Sequence, residues 1–250
     1  MMARKAAYAV LILALLVWAG AGVGFAPSAL RDIGNTVRFI SGHWFPMDLA
    51  DWRLAVRAMS DTLEIAVFST LTALLLSVPL SFLAARNTAP SLWMYNSARF
   101  VFNLIRSIPE LVLALVFIPT LGLGPMPAVM ALFLHNLGVF GKLLSELIEA
   151  ADDGPQEAVK ALGGTRVLVA LYGILPQIVP LVLSQYFYRL EAAIRTSLIL
   201  GIVGAGGLGQ MLYNDFKQFM YQKVTFEVLL MMALVTAVDL LGAFVRKRVK

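Results

Sequence analysis

Long apolar segments separated by short polar ones make up most of the chain. A helix needs about 20 apolar residues, rising 1.5 Å each, to cross about 30 Å of hydrocarbon. By this criterion the pattern predicts six membrane-spanning helices. They cover approximately residues 6–25, 62–85, 100–121, 126–144, 168–199 and 224–245. Prolines inside these segments, such as Pro109 in the third, are tolerated in a helix bundle because neighbouring helices satisfy the freed backbone groups.

The composition supports a polytopic helical membrane protein. Of the 250 residues, 60% are apolar and 14% are charged, whereas soluble domains average about 45–50% and about 25%. These values exclude an ordinary soluble domain and a disordered chain, and the segments are too apolar for an outer-membrane barrel. The chain has no Cys and two His, so neither a disulfide framework nor a metal site is predicted.

Basic residues predict the orientation, because Lys and Arg concentrate on the cytoplasmic side of a membrane. Arg4 and Lys5 precede the first apolar segment, and a basic cluster at 246–250 follows the last one. Both termini are therefore expected in the cytoplasm, which requires an even number of spans. The net charge of +5 is modest and bears on orientation, so no nucleic-acid partner is predicted.

The N-terminal part, residues 1–57, is expected to form the first span and an external segment. Ala19-Gly20-Ala21 resembles a signal-peptide cleavage site, but the apolar segment continues to Phe25, which favours a retained helix. In the external segment, aromatic and apolar residues alternate with charges, a pattern typical either of a helix lying at the interface or of a packed loop. They are Trp44, Phe45, Trp52 and Leu54. Residues 58–250 are expected to form the core, with five spans.

A polar loop between the fourth and fifth predicted spans has the features of a short surface helix at about 155–164. Pro155 suits the first helical position, and Ala158, Ala161 and Leu162 share one face. Gly163 and Gly164 can end the helix. An amphipathic helix parallel to the membrane could be the docking element for a cytoplasmic partner, and the alternative is an ordinary loop helix.

This loop resembles the EAA loop of ABC-importer permeases. Glu157-Ala158-Val159, Gly163 and Leu175-Pro176 have that spacing, and the chain departs from the pattern at Val159 and Gly173. Further segments between about 40 and 245 are similar to phosphonate/phosphite-type permeases. They lie at 45–48, 105–110, 122–125, 135, 141–143, 172–177 and 201–209.

The resemblance implies a type I ABC-importer permease fold, an all-α bundle with a cytoplasmic coupling helix, in a bacterial inner membrane. It also implies a homodimer, two cytoplasmic ABC ATPase subunits and a periplasmic solute-binding protein. The implied ATPase-coupling residues are Pro155, Glu157, Ala158, Ala161, Gly163 and Gly164. The chain contains no G-x-x-x-x-G-K-[ST] loop, so ATP and Mg²⁺ are expected on the partner ATPase, and no cofactor is expected here.

Ionisable residues inside predicted spans form a second candidate site. They are Arg106, Glu110, His135, Arg189, Glu191 and Arg195. A charge at mid-bilayer costs about 2.5–3.5 kcal/mol, so these groups should form pairs or face the bundle interior. Spacing of four residues predicts the pairs Arg106–Glu110 and Glu191–Arg195. These ionisable residues are interpreted either as structural ion pairs or as the lining of a translocation pathway whose excess positive charge attracts an oxyanion. For His135, a helix–helix contact is the alternative to a pathway role.

Glycines 204, 206, 207 and 209 match G-x-G-x-x-G, but their flanks are membrane spans, so a dinucleotide site is rejected. By resemblance, Gly204, Gly206, Gly207 and Gly209 form part of an external gate, and a purely structural turn is the alternative.

The expected function is the permease subunit of an ATP-driven importer that moves phosphonate or a related phosphorus oxyanion by alternating access. The alternatives are an importer for another solute, an ion-gradient-driven transporter and a membrane-embedded enzyme. The last lacks paired metal ligands and any nucleophile–base motif.

Overall fold

The computed structural model describes residues 2–24 and 33–249, and within them all regular secondary structure is helical. The chain divides into two units, Met1–Met47 and Asp48–Lys250. The first unit contains α1 (Met2–Gly22) and α2 (Ile33–His43). Its α1 is apolar and exposes large side chains such as Trp18. Phe25, where the predicted first span ends, lies outside the described residues.

In the second unit, α3 (Trp52–Leu83) and α6 (Pro125–Glu149) form the centre of the bundle. The first turns of α3 include Trp52 and Leu54, which the sequence analysis assigned to the external segment. Small residues on α3, such as Ala66, Ala73 and Ser69, are fully buried. Small side chains allow helices to approach closely where lipid provides no hydrophobic driving force.

The third predicted span is not one helix. The structure has α4 (Leu92–Ser107) and α5 (Glu110–Leu121), which meet at an angle of 86°. Pro109 lies at the break, and the preceding Ile108 is extended, with φ −87° and ψ 123°. Proline has no N–H and disfavours helical backbone in the residue before it. Residues 100–121 are therefore not one continuous helix, and α4 and α5 could form the predicted span only as a bent pair.

The fifth predicted span starts with α8 (Arg166–Leu168) and a π-helical segment (Val169–Ile174), and continues as α9 (Leu175–Ile202). A short α10 (Gly207–Lys217) lies along α9 and α3, and α11 (Tyr221–Val249) follows it. The sequence predicts a turn after α9, but its pattern does not predict the helix α10.

Among the described residues, four helices are long and apolar enough to cross a membrane, and the bent α4–α5 pair would make a fifth. The four are Trp52–Leu83, Pro125–Glu149, Arg166–Ile202 and Tyr221–Arg248. The apolar stretch of α1, Tyr8–Gly22, is shorter than a full span. The all-helical membrane fold is thus confirmed, whereas the count of six spans is not reproduced.

The second unit has two clusters of buried apolar side chains at opposite ends of the long helices. One contains Ile65, Leu132 and Leu208 beside the glycine-rich turn before α10. The other contains Phe140, Ile148 and Ile174, and it lies beside the short helix α7 (Asp153–Ala161). We call these the glycine-turn end and the α7 end.

Candidate functional site

The helix α7 begins slightly earlier than predicted. Asp152 is its N-cap, and the Asp152 carboxylate accepts a hydrogen bond of 3.1 Å from the Gly154 N–H. Pro155 is therefore the third helical residue, and the prediction that it occupies the first position is wrong. Its missing N–H still costs nothing, because the first N–H groups of a helix have no partner within the helix.

Two glycines end α7 in a Schellman motif. The Gly163 N–H donates to the Lys160 carbonyl (2.9 Å), and the Gly164 N–H donates to the Val159 carbonyl (3.0 Å). Gly163 has φ +78°, a left-handed conformation that glycine adopts without strain. A β-carbon on Gly164 would lie 2.6 Å from Val159 Cγ1, so both glycines are required by this geometry.

One face of α7 lies against the bundle, where two glutamines form hydrogen bonds near its N-terminus. Gln156 is the buried residue of α7, and its side-chain amide donates to the Asp152 carbonyl at 3.0 Å. Gln177 of α9 exchanges hydrogen bonds with the backbone of Asp152, accepting from its N–H (3.0 Å) and donating to its carbonyl (3.1 Å). The Gln177 amide also donates to the Gly173 carbonyl at 2.5 Å. The two bonds between Gln177 and Asp152 therefore hold the start of α7 against the start of α9.

The opposite face of α7 is open. Glu157, Ala158 and Ala161 are exposed, and Leu162 is 89% exposed. An apolar side chain this exposed at the end of a fixed, capped helix is available for contact with another protein. The structure therefore presents a capped helix with an exposed face at the α7 end, and this face contains residues that the EAA resemblance indicates.

Arg189 on α9 is held by a neutral partner rather than by an acid. Its Nε and a terminal nitrogen both donate to Asn136 Oδ1 on α6, at 3.0 and 2.5 Å. Asn136 is fully buried, and its side-chain nitrogen donates to Thr70 Oγ1 on α3 at 3.3 Å. Three helices thus fix the Arg189 guanidinium in the bundle.

His135 and Glu110 meet at the break between α4 and α5. The His135 Nε2 lies 3.2 Å from Glu110 Oε1, and its Nδ1 lies 3.2 Å from the Ile108 carbonyl oxygen. The predicted pair Arg106–Glu110 is wrong, because the helix is interrupted between these residues. Arg106 is exposed, and its Nε donates to Asn103 Oδ1 at 3.1 Å. Sequence spacing missed the actual partner of Glu110, which is 25 residues away in the chain.

The predicted pair Glu191–Arg195 is present. It belongs to a polar stripe on α9 that the sequence analysis recognised only in part. Side chains of α9 and α11 line a cavity of about 390 Å³ between the two helices. The lining residues are Ser184, Gln185, Tyr188, Glu191, Asp239 and Arg246.

Several of these polar groups are exposed although they lie inside apolar helices. Tyr188 is 63% exposed, and the side chains of Arg195 and Asp239 are 61% and 58% exposed. Facing these groups to lipid would be costly, so this surface, which we call the α9–α11 polar face, should contact water or protein. The helical spacing of Ser184, Tyr188 and Glu191 is the signal that could have revealed it.

The glycine-rich turn connects α9 to α10 along the chain and also contacts neighbouring helices. Gly204, Gly206 and Gly207 have φ of +95°, +83° and +69°. The Leu208 N–H donates to Thr62 Oγ1 on α3 at 2.8 Å, and a β-carbon on Gly207 would lie 2.5 Å from the same oxygen. A β-carbon on Gly209 would lie 2.3 Å from the Leu198 carbonyl oxygen, so α10 packs closely against α9.

Sequence reasoning also missed Glu227 on α11. It is fully buried, and neither carboxylate oxygen has a hydrogen-bond partner among the described residues. Asp215, Lys223 and Asp51 are the charged residues near it. The described part of the chain contains no cluster of three His, Asp or Glu side chains suited to a metal ion.

Comparison with known proteins identifies the family. Residues 77–250 match the family described as "Binding-protein-dependent transport system inner membrane component". The chain belongs to this family. It is therefore the membrane-spanning subunit of an ABC importer and not an enzyme, because in this family the ATPase is a separate subunit. The type I ABC-importer permease fold inferred from the EAA loop is confirmed.

Two curated relatives and one solved structure illustrate the similarity. The phosphite transport system permease protein PtxC of Stutzerimonas stutzeri is 37% identical over 215 residues, 86% of this chain and 78% of PtxC. The phosphate-import permease protein PhnE of Mycolicibacterium smegmatis is 35% identical over 226 residues, 90% of this chain and 42% of PhnE. A chain of the inward-facing MetNI methionine ABC transporter shares the fold, with a TM-score of 0.71, 22% identity, and coverage of 82% of this chain and 100% of that one.

Proposed function

We propose that this importer subunit moves a phosphorus oxyanion, namely phosphite, phosphonate or phosphate, and that Arg189 contacts the anion during transport. The observation that carries the proposal is the arrangement of Arg189, whose guanidinium is fixed in the bundle by the neutral side chain of Asn136. The names of the relatives, which refer to phosphite transport and phosphate import, support the substrate class.

The hydrogen-bonding capacity of Arg189 fits this role. A guanidinium has five N–H donors, and Asn136 accepts from two of its nitrogens. The remaining donors can bind two oxygens of a planar or tetrahedral anion, and Arg keeps its charge at any physiological pH. Arg195 is paired with Glu191, so its positive charge is largely compensated. Glu110 and His135 lie in the same bundle and complete the proposed pathway with Glu191 and Arg195, whereas Arg106 is peripheral.

The proposed transport cycle uses the two ends of the bundle. Two ABC ATPase subunits, which bind ATP and Mg²⁺, dock on Glu157, Ala158, Ala161 and Leu162 of a homodimer of this chain. Pro155, Gly163 and Gly164 shape that docking element. A periplasmic binding protein delivers the anion at the glycine-turn end, where Gly204, Gly206, Gly207 and Gly209 form part of the external gate. Both termini then lie in the cytoplasm, and the chain has no nucleic-acid partner.

Uptake by the assembled transporter in proteoliposomes tests this function. Radiolabelled phosphite, methylphosphonate, phosphate and methionine are offered separately with the cognate binding protein and ATP. The expected result is ATP-dependent uptake of at least one phosphorus oxyanion and none of methionine. Uptake of methionine alone would assign the chain to another branch of importers, and uptake driven by an ion gradient without ATP would overturn the proposal.

A further inference from the structure

A large cavity lies at the α7 end, apart from the polar groups described above. Its volume is about 810 Å³, and it is bounded by the last turns of α3, the loop after α3, the helix α7 and the start of the fifth span. Most of its wall is apolar. The apolar side chains that line this wall include Phe82, Leu83, Val167 and Leu171. Val167 and Leu171 are 66% and 49% exposed, so the apolar wall is not covered within the chain.

Two cations line the same cavity. Lys160 on α7 and Arg166 at the start of α8 form no ion pair within the described residues. Two other basic residues at this end are neutralised, since Arg99 pairs with Glu149 at 2.7 Å and Lys142 pairs with Glu146 at 2.6 Å. The cavity therefore combines an uncovered apolar wall with two positive charges that have no acidic partner there.

The position of the cavity relative to the bilayer follows from the proposed orientation, on which this inference rests. The helix α3 ends at Leu83 and the fifth span begins at Arg166, so the cavity lies where hydrocarbon gives way to headgroups. In that orientation it opens at the inner leaflet. Basic pockets between helices on this side of a membrane are suited to the headgroups of anionic lipids.

We propose that an anionic phospholipid of the inner leaflet binds in this cavity. Its phosphate contacts Lys160 and Arg166, and an acyl chain lies against Phe82, Leu83, Val167 and Leu171. A free phosphate ion would use the two charges but gain nothing from the apolar wall, whereas a phospholipid uses both. Because Lys160 is part of α7, the bound lipid connects the coupling helix to the end of α3.

Native mass spectrometry of the full-length protein, titrated with phosphatidylglycerol, tests the proposal directly. Lys160→Gln with Arg166→Gln should weaken lipid binding by about 30-fold, since each basic residue near an anionic surface contributes about fivefold. Arg86→Gln is the matched control, because Arg86 is exposed at the same end but does not line the cavity. The charge-preserving variant Lys160→Arg with Arg166→Lys should retain binding, which separates loss of charge from misfolding.

Three results with the protein alone would overturn the proposal. They are equal weakening by Arg86→Gln, equal binding of phosphatidylcholine and phosphatidylglycerol, and displacement of the lipid by millimolar inorganic phosphate. Exclusion of the lipid when the ATPase is assembled would also overturn it and would show that the ATPase occupies the cavity. Lipid binding is measured without transport substrate. Its outcome therefore does not depend on whether the phosphorus-oxyanion uptake assay succeeds.

Discussion

Gly173 and Gln156 approach so closely that a β-carbon on Gly173 would lie 3.0 Å from the Gln156 Cα. The first residue belongs to the π-helical segment before α9, and the second is the buried residue of α7. The EAA pattern has Ile at the position of Gly173, and here the missing side chain makes room for the α7 backbone. Gly173 thus sets the distance between α7 and the spanning helix that follows it.

Gly173→Ala should displace α7 and uncouple the ATPase. The added methyl group meets backbone rather than a flexible side chain, and overpacking of this kind costs about 1–3 kcal/mol. The expected result is a lower melting temperature and loss of transport-coupled ATPase activity. Gly154→Ala is the control on the same helix, since its β-carbon would have only an ordinary contact of 3.8 Å with the Asp152 carboxylate. Equal coupling in the two variants would show that this approach distance is not important.

Gly163→Val should abolish uptake, whereas Gly163→Asn should retain much of it. No atom lies within 4 Å of the β-carbon position at Gly163, so the effect arises from its φ of +78° and not from a clash. A β-branched residue is strained there, and Asn is better tolerated in the left-handed region. Uptake and membrane insertion are measured together. Normal uptake by Gly163→Val would contradict a role of the Schellman motif in coupling.

Hydropathy predicted most of the fold because membrane burial acts on whole helical segments. The hydropathy pattern did not predict the break at Pro109, where the two residues between α4 and α5 change the direction of the chain by 86°. It also failed to predict α10, whose 11 residues are too few and too polar to be recognised as a span. The packing of α10 depends on Gly201 and Gly209, whose β-carbons would collide with backbone of the neighbouring helix, and such contacts are tertiary.

The candidate site was predicted well where the interactions are local. In the exposed face of α7, in its glycine stop and in the pair Glu191–Arg195, the residues that interact lie within a few positions of one another along the chain. The partners of Glu110 and Arg189 are His135 and Asn136, which neighbour each other on α6. No spacing rule connects them to residues on other helices, so the sequence could name the ionisable groups but not pair them.

Arg189→Gln should raise the KM for phosphorus oxyanion uptake by about 10–150-fold, because a hydrogen bond to a charged group contributes about 1.5–3 kcal/mol. Arg195→Gln should have a smaller effect, since Arg195 is already paired with Glu191. Arg86→Gln removes an exposed charge outside the pathway and serves as the control. Initial rates of uptake at varied substrate concentration give the KM. An unchanged KM in Arg189→Gln would exclude contact with the anion.

Glu227→Met should stabilise the protein. The buried carboxyl group has no hydrogen bond of ordinary geometry within the described residues, and the acidic side chain of Asp215 lies near it. Replacing an unsatisfied buried acid by an apolar side chain of similar volume removes its desolvation cost of about 1–3 kcal/mol. Melting temperature in detergent should therefore rise, and Glu227→Gln, which leaves a polar group unsatisfied, should raise it less. A lower melting temperature for both variants would indicate a stabilising partner of Glu227.

Asp239→Cys and Tyr188→Cys should react with a charged, water-soluble thiol reagent, whereas Leu240→Cys should not. The chain has no Cys, so each variant contains a single thiol. Asp239 and Tyr188 belong to the α9–α11 polar face, while Leu240 is 64% exposed on an apolar surface of α11. The cysteine reacts as its thiolate, which forms in contact with water, so labelling of the adjacent positions 239 and 240 distinguishes a hydrated pathway from lipid. Addition of ATP and binding protein should change the labelling rate at 188 and 239 if that face lines an alternating-access path. Equal labelling of all three positions, or of none, would contradict a hydrated α9–α11 polar face.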